Sequence, residues 1–122
     1  MFNKKHRIVI DSINSVLGES THLDGKLVFA GTMRIDGKVD GEIFSEKKSG
    51  VLNTLIIGEK ASISGDIHAD TVINSGQICG NIFAASRVAI NDPGSLIGDV
   101  ETAELTVEEG VIFNGKCIML RQ

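Results

Sequence analysis

Three histidines, two cysteines and a series of acids are the residues that could do chemistry in this sequence. His22 and His68 lie three residues from different glycines, on opposite sides, and His6 lies near the N-terminus. We expect them at separate surface positions, whereas a zinc site needs several such ligands to converge. Asp66 and Asp99 each follow a glycine and are expected to form a row of solvated acids rather than an acid–base pair. The spacing predicts no metal site and no catalytic residue.

The negative charge and the lack of a phosphate-binding motif in this sequence argue against two classes of ligand. No Walker-type Gly-Lys-Ser/Thr loop is present, so the sequence predicts no nucleotide and no other cofactor. The net charge of −4 argues against nucleic acid as a partner. Lys4, Lys5 and Arg7 place three positive charges before the first acid, Asp11.

Cysteine usage and hydropathy bear on location. We expect Cys79 to point outward and Cys117 inward, so that they form no disulfide with each other, which favours a reducing compartment. No apolar stretch approaches the roughly 20 residues of a membrane span, and the basic start lacks the apolar region of a secretory signal. These features predict a cytoplasmic protein.

All of these residues are carried by a repeat centred on glycine. Around Gly65, apolar residues lie eight positions before (Ile57), two before (Ile63) and two after (Ile67). The same frame fits five more glycines, and all eighteen non-glycine positions are apolar. The six glycines are Gly25, Gly41, Gly65, Gly80, Gly98 and Gly115, separated by 16, 24, 15, 18 and 17 residues. A period near 17 residues indicates a repeat architecture.

The repeat predicts an all-β fold, a parallel β-helix of about six coils. Apolar and polar residues alternate around each glycine, as in half-buried strands, and the unit is shorter than solenoid units that contain a helix. Coils stacked about 4.8 Å apart would align equivalent side chains into ladders. The predicted ladders are Leu17/Met33/Ile57/Val72/Ile90/Val107, Leu23/Val39/Ile63/Ile78/Leu96/Phe113 and Leu27/Ile43/Ile67/Ile82/Val100/Cys117.

The frame also predicts the domain organisation. One β-helix domain is expected over residues 15–118, with a flexible arm over 1–14 that could target a membrane and a short tail over 119–122. The long spacing between Gly41 and Gly65 is interpreted as a loop over residues 44–53, since insertions in solenoids map to loops on one face.

Three segments give the sequence a family resemblance. They are Ile-Ser-Gly-Asp-Ile-His-Ala (63–69), Ile-Cys-Gly-Asn-Ile-Phe-Ala (78–84) and Glu-Glu-Gly-Val-Ile-Phe-Asn-Gly-Lys-Cys-Ile-Met (108–119). With the six units in register, the chain resembles the bactofilins, bacterial cytoskeletal proteins, over residues 15–118. The resemblance implies a right-handed parallel β-helix that polymerises end to end without nucleotide. It also implies a role in cell shape, polarity or wall organisation, with cell-wall enzymes or membrane proteins as partners.

The two ends of a β-helix are open sheet edges, which invite another chain. Solenoids normally end in polar capping segments, whereas both terminal coils of this sequence are apolar. We therefore expect a homopolymer, with Phe113 as the main interface residue because it is the only aromatic in its ladder. The alternative is that Phe113 belongs to the core and is covered by the C-terminal tail. The expected interface residues are Phe113, Val107, Val111 and Ile118 at one end and Leu17, Leu23, Leu27 and Phe29 at the other.

Two interpretations of the N-terminal arm stay open: a segment that binds the inner face of the cytoplasmic membrane, and an ordinary solvated tail. Phe2 could insert into the lipid interface, and Lys4, Lys5 and Arg7 could lie near anionic headgroups, where each is worth about 1 kcal/mol. The resemblance adds that some bactofilins begin with a similar membrane-targeting segment. A filament would display many arms and gain avidity.

Two other functions fit parts of the pattern. A hexapeptide-repeat acyltransferase would explain apolar residues six apart, such as Ile57 and Ile63, but the next inward residue, Ile67, comes after four. A monomeric β-solenoid that binds partners would share the fold without polymerising. The sequence favours a structural protein over an enzyme.

Overall fold

A computed structural model describes residues 6–46 and 52–121, with the backbone alone for residues 6–14. Within these ranges every regular element is a β-strand, and no helix occurs. The strands are β1 (His6–Leu17), β2 (His22–Ile35), β3 (Lys38–Ser45), β4 (Thr54–Ile57), β5 (Ser62–Ser64), β6 (Ile67–Asn74), β7 (Gln77–Cys79), β8 (Ile82–Ile90), β9 (Ser95–Ile97), β10 (Val100–Val107), β11 (Ile112–Asn114) and β12 (Cys117–Met119). The fold is all-β, as the repeat predicts.

The described strands pair in parallel to form one continuous coil. Pairing runs from β11 through β9, β7, β5 and β3 to β2, and from β2 through β4, β6, β8 and β10 to β12. Each strand pairs with its equivalent one coil away, because the chain winds round and returns one strand width further along. The result is a parallel β-helix of about six turns, and the predicted architecture is confirmed.

A column of glycines runs along the solenoid: Gly65, Gly80, Gly98 and Gly115 each lie between two strands, and Gly41 lies within β3. Gly65 has a φ of +143°, which residues with a side chain rarely adopt. A Cβ at Gly65 would also overlap the carbonyl oxygen of Gly41 in the preceding coil. The same contact recurs at Gly41, Gly80, Gly98 and Gly115. Glycine recurs in the sequence because successive coils approach here backbone to backbone.

Two of the three predicted ladders are confirmed. The residues two before each glycine align in the order Leu23, Val39, Ile63, Ile78, Leu96 and Phe113. The residues two after align in the order Leu27, Ile43, Ile67, Ile82, Val100 and Cys117. Except in the last coil, all of these side chains are buried. They form the core of the solenoid.

The third predicted ladder is wrong at Met33 and Val72. The observed ladder is Leu17, Ile35, Ile57, Asn74, Ile90 and Val107. Coils are joined by turns of two or four residues, and the turns before β3 and β7 have two. In these two coils the ladder residue therefore lies six residues before the glycine, and counting back eight reaches a residue two positions too early on the same strand. Met33 and Val72 align with Leu55 in the neighbouring ladder.

Turn length and corner bulges also account for the uneven glycine spacing. The shortest spacing, 15 residues, combines a two-residue turn with a plain corner in β6. A four-residue turn adds two residues to the spacing. Between the aligned positions on either side of the corner, β2 and β8 each contain one residue more than β6. The coil between Gly41 and Gly65 contains the insertion. The period is thus irregular at its corners and regular in its strands.

Asn74 places an amide inside the apolar ladder, where it is 0% exposed. Its Nδ2 donates to the carbonyl of Ser95 over 3.1 Å, and its Oδ1 accepts from the N–H of Gly76 over 2.9 Å. Both groups of the side chain are therefore satisfied, as burial of a polar residue requires.

Asn53 closes the insertion. Its Oδ1 accepts from the N–H of Gly31 over 2.8 Å, and its Nδ2 donates to the carbonyl of Glu46 over 2.8 Å. Its own N–H donates to Asp70 Oδ2 over 2.9 Å. Asn53 is 1% exposed and joins three successive coils where the insertion returns to the solenoid. The predicted loop boundary is corrected at its start, because Phe44 and Ser45 belong to β3.

The predicted domain boundaries also need correction. Residues 6–14 were expected in a flexible arm, but from His6 the backbone forms β1, which pairs with β2 from Gly25 to Ile35. At the other end, Met119 lies in β12, and the N–H of Leu120 donates to the carbonyl of Thr102 over 2.7 Å. The solenoid therefore extends beyond residues 15–118 on both sides. Residues 1–5 lie outside the described ranges.

Candidate assembly surfaces

The C-terminal end of the solenoid is an open sheet edge. Strand β10 pairs with β8 from Val100 to Val107, but on its other side it pairs with β12 only from Val100 to Thr102. Strands β11 and β12 each pair with a single strand of the described chain. The outer N–H and C=O groups of this last turn thus lack a strand partner within residues 6–46 and 52–121.

Apolar side chains are exposed at the same end. Five of the eight large hydrophobic residues that are exposed in the described chain lie at its C-terminal end: Val107 (46%), Ile112 (63%), Ile118 (53%), Met119 (53%) and Leu120 (39%). Ile90 and Thr102, which align with Val107 and Met119 in the preceding coil, are both 0% exposed. Ile112 and Ile118 occupy outward positions of the wall. An uncovered apolar surface beside free backbone groups is the combination that favours strand addition.

Phe113 ends the ladder that begins at Leu23. Its backbone aligns with Leu96, which is 0% exposed, and its half-buried ring packs against the core. Val111 and Cys117 are also half-buried against the core. These side chains are covered from below and open on the outer side.

A column of polar side chains outside the wall ends at this coil too. Asp66 Oδ1 accepts from the N–H of Asn81 over 3.0 Å, and Asn81 Oδ1 accepts from the N–H of Asp99 over 2.9 Å. Asp99 Oδ1 then accepts from the N–H of Lys116 over 3.0 Å. A lysine side chain has no acceptor, so Lys116 cannot extend this series to another coil. Continuation beyond the last coil would rest on main-chain pairing and apolar contact.

The N-terminal end is covered further than the sequence predicted. Strand β1 pairs with β2 from Gly25 onward, where Leu27 and Phe29 are 0% exposed, and Leu23 just before this segment is 3% exposed. These three residues belong to the core of the chain, and their assignment to the interface is corrected. Leu17 is half-buried against the core, and Val16 beside it is 65% exposed. The surface at this end is formed by β1.

The residues expected to bind membrane fall largely outside the described ranges. Phe2, Lys4 and Lys5 precede residue 6, and Arg7 lies in β1, where only the backbone is described. No helix in the described ranges has the length and hydropathy needed to cross a membrane.

The residues considered for chemistry lie apart. His22 Nε2 lies 2.7 Å from Asp40 Oδ2, with both side chains substantially exposed, and His68 lies on the opposite side of the glycine column. Cys79 is exposed and Cys117 half-buried, and both thiols are free. Burial raises the pKa of the Cys117 thiol. Within residues 6–46 and 52–121, no three potential metal ligands cluster.

The sequence interpretation missed a row of rings on the outer wall. Phe44, His68 and Phe83 align at the third position after successive glycines, and their rings stack. The signal was present in the sequence, because each of the three occupies the same outward position of its coil.

These features agree with comparisons to known proteins. The bactofilin family model, described as polymer-forming cytoskeletal, matches residues 15–118. The chain belongs to the bactofilin family, a family of structural cytoskeletal proteins.

Two relatives from Myxococcus xanthus (strain DK1622) show how far the similarity extends. The chain is 26% identical to bactofilin BacP over 106 residues, which are 87% of this chain and 42% of BacP. It is 28% identical to bactofilin BacO over 106 residues, which are 87% of this chain and 79% of BacO. The chain thus spans less than half the length of BacP. No solved structure matches the chain significantly.

Proposed function

We propose that this bactofilin assembles end to end, without nucleotide, into filaments in which the coil of one molecule continues into the next. The observation that carries the proposal is the C-terminal coil, where free strand edges coincide with exposed apolar side chains. A coil added there would pair the outer backbone of β11 and β12 and cover Phe113, Val107 and Ile118. Such contacts repeat without closing, and a series of non-closing contacts yields a fibre.

The interface requires no energy source. Each large apolar side chain that becomes fully buried contributes about 1.5–3 kcal/mol, and the outer strand edges gain hydrogen bonds of about 1 kcal/mol each. Ordering costs at this end are small because Phe113 and Val111 already pack against the core. A preformed edge of this kind supports spontaneous polymerisation.

Negative-stain electron microscopy of the purified protein, without added nucleotide, tests the proposal. Wild-type protein should form filaments, and Phe113→Arg should abolish them, because a charge would be buried without a partner in the interface. The Phe113→Arg protein should keep its far-UV circular dichroism and elute as a folded small species. Ser64→Arg is a matched control, because it adds the same charge at an exposed wall position of an interior coil.

Two results would contradict end-to-end assembly. Wild-type protein that remains monomeric in size-exclusion chromatography would favour a monomeric β-solenoid that binds partners. Filaments that persist in the Phe113→Arg variant would show that the C-terminal coil is not the interface.

We further propose that the filament lies at the inner face of the cytoplasmic membrane and scaffolds cell shape or cell-wall machinery. The motivation is the segment containing Phe2, Lys4, Lys5 and Arg7, which combines one aromatic residue with three basic ones. Polymerisation would multiply a weak single-arm affinity. Anionic liposomes should co-sediment with wild-type filaments and not with filaments that lack residues 2–7. Equal sedimentation of both would rule out the arm as the membrane anchor.

A further inference from the structure

The stacked rings form a continuous aromatic strip along the outer wall. The ring centroids of Phe44 and His68 are 4.5 Å apart, with 6° between the ring planes. Those of His68 and Phe83 are 4.7 Å apart, with 15° between the planes. Because the rings stack along the solenoid axis, each presents its edge to solvent and turns its faces toward its neighbours. The strip therefore offers ring edges along its length, and the outer faces of Phe44 and Phe83 are the two faces that are not turned toward another ring of the strip.

A groove runs beside this strip along the solenoid axis. It has a volume of about 380 Å³ and extends from Phe44 in the coil of β3 to Leu120 beyond the last strand. Ala69 and Ala84 lie in its floor, where they keep it open because they are small. Four coil spacings make it about 19 Å long, the length of about six residues of extended chain. A second pocket of about 230 Å³ shares Phe83 and Glu101 with the groove.

The two ends of the aromatic strip differ in what faces them. At the N-terminal end, the ammonium group of Lys26 lies over the ring of Phe44, 4.6 Å from its centroid. At the C-terminal end, the residue aligned with Phe83 in the next coil is Glu101. A carboxylate is repelled by the negative face of an aromatic ring, whereas a cation is attracted. A cation placed between the outer face of Phe83 and the carboxylate of Glu101 would be attracted by both.

The charges that line the groove have one sign. Asp70 and Glu101 line the groove, and Asp99 and Glu101 line the adjoining pocket. Neither Lys nor Arg of the described residues lines either cavity. Glu101 forms no ion pair or hydrogen bond with another side chain in the described part of the chain. The lining is thus aromatic and aliphatic along the strip, with one acid in the middle of the groove (Asp70) and another toward its C-terminal end (Glu101).

We propose that this groove binds an extended peptide segment of a partner protein that carries apolar side chains and one arginine or lysine. The apolar side chains lie along the ring edges and over Ala69 and Ala84. The basic side chain inserts between the face of Phe83 and Glu101, as Lys26 covers the face of Phe44 at the other end. In a filament the groove recurs on every molecule, so that a partner with a short motif is recruited at many sites.

Other ligand classes fit the groove less well. Sugar rings stack on aromatic faces, and the faces of Phe44 and His68 are covered by Lys26 and the neighbouring rings. Nucleic acid and anionic lipid headgroups are repelled by Asp70, Asp99 and Glu101. An extended peptide matches the length of the groove and supplies both an apolar side and a cation.

The test uses a phage-displayed library of random short peptides, selected on the full-length protein. We expect enriched peptides to combine large apolar residues with arginine or lysine. A synthetic copy of an enriched peptide should bind the wild-type protein in fluorescence anisotropy. Its affinity should fall about tenfold or more for Glu101→Lys and less for Glu101→Gln. Glutamine only removes the ion pair with the basic side chain of the peptide, whereas lysine also repels that side chain.

Glu59→Lys is the matched control, because Glu59 is exposed in a turn away from the groove and should leave the affinity unchanged. Filament formation by the Glu101 variants is checked by electron microscopy, so that loss of peptide binding is distinguished from loss of assembly. The proposal is overturned if no peptide is enriched over selection without protein. It is also overturned if enriched peptides lack a basic residue or bind Glu101→Lys as tightly as wild type.

Discussion

The coil around Gly65 and the coil around Gly115 follow one pattern in different surroundings. Ile63 and Ile67 flank Gly65 and are 1% and 0% exposed, because coils cover them on both sides. Phe113 and Cys117 occupy the same positions around Gly115 and remain half-buried, because the described chain covers them on one side only. The proposed assembly surface therefore needs no special motif in this fold. It arises where the repeat stops without a covering coil.

The column of hydrogen bonds along the outer wall shows the same difference between the interior coils and the last coil. Asp66 and Asn81 each accept a backbone N–H from the coil above. At the last coil the equivalent residue is Lys116, which can only donate. The interior coils are thus joined by side-chain and main-chain bonds, whereas the last coil offers main-chain edges and apolar side chains alone.

The largest expected difference in stability comes from placing arginine at the same ladder position in each of the two coils. Ile63→Arg buries a charge in the middle of a ladder, which costs several kcal/mol out of a total stability of about 5–15 kcal/mol. We expect this variant to be unfolded in circular dichroism. Phe113→Arg, in the same ladder, should stay folded and lose at most about 2 kcal/mol, since the guanidinium reaches water. A folded Ile63→Arg protein would contradict the assignment of that ladder to the core.

A smaller effect is expected at the glycine column. Gly65→Ala introduces a Cβ that overlaps the carbonyl of Gly41, at a φ unfavourable for alanine. We expect a loss of about 3 kcal/mol or more in the free energy of unfolding, measured by urea denaturation. Gly18→Ala provides the control, because a Cβ there meets no atom within 4 Å. Equal stabilities of the two variants would refute the close approach of the coils.

The polar column should contribute less, and unequally. Asp66→Ala removes a part-buried hydrogen bond to Asn81 and should cost about 1 kcal/mol. Asp99→Ala removes an exposed bond to Lys116 and should cost less than half as much. Thermal unfolding of the two variants under conditions without filaments measures the difference. A larger loss for Asp99→Ala would mean that the terminal coil is held as firmly as the interior.

The smallest effect concerns cysteine reactivity. The thiolate is the reactive form, and burial raises the pKa of Cys117, so that less thiolate is present at neutral pH. The alkylation rate of Cys117 should therefore keep rising to a higher pH than that of a free thiol. Single-cysteine proteins, made with Cys79→Ser or Cys117→Ser, allow each rate to be followed. At neutral pH, equal rates for Cys117 and the exposed Cys79 would contradict the half-buried position of Cys117.

The sequence was sufficient to predict the strands that adjoin each glycine. Residues two before and two after lie at a fixed distance from it, so that Ile63 and Ile67 could be placed in the core by alternation alone. The residue eight before lies across a turn, and turn length varies between two and four residues without changing the pattern. Met33 and Val72 were misplaced for this reason, and Asn74 was missed because an amide at a core position breaks the apolar rule.

Other features depended on contacts that a linear pattern does not contain. No glycine marks the pairing of β1 with β2 in the sequence. Because of this pairing, Phe29 lies in the core and not at the expected interface. Asn53 closes the insertion through hydrogen bonds to Gly31, which is distant in the sequence, and to Glu46, which lies at the other end of the inserted loop. The alignment of Phe44, His68 and Phe83 could be read from the sequence, because each is the third residue after a glycine of the repeat, whereas the stacking of their rings is a side-chain contact that the pattern does not contain.

Hydrogen–deuterium exchange tests the central claim, that the last coil is uncovered in the single molecule and covered in the filament. Wild-type filaments and the Phe113→Arg protein, which is expected not to assemble, are compared at equal concentration. We predict that the amides of β11 and β12 exchange at least about tenfold more slowly in filaments, while those of β5 and β7 exchange alike in both. Equal exchange of β11 and β12 in filaments and in Phe113→Arg would contradict assembly through the C-terminal coil.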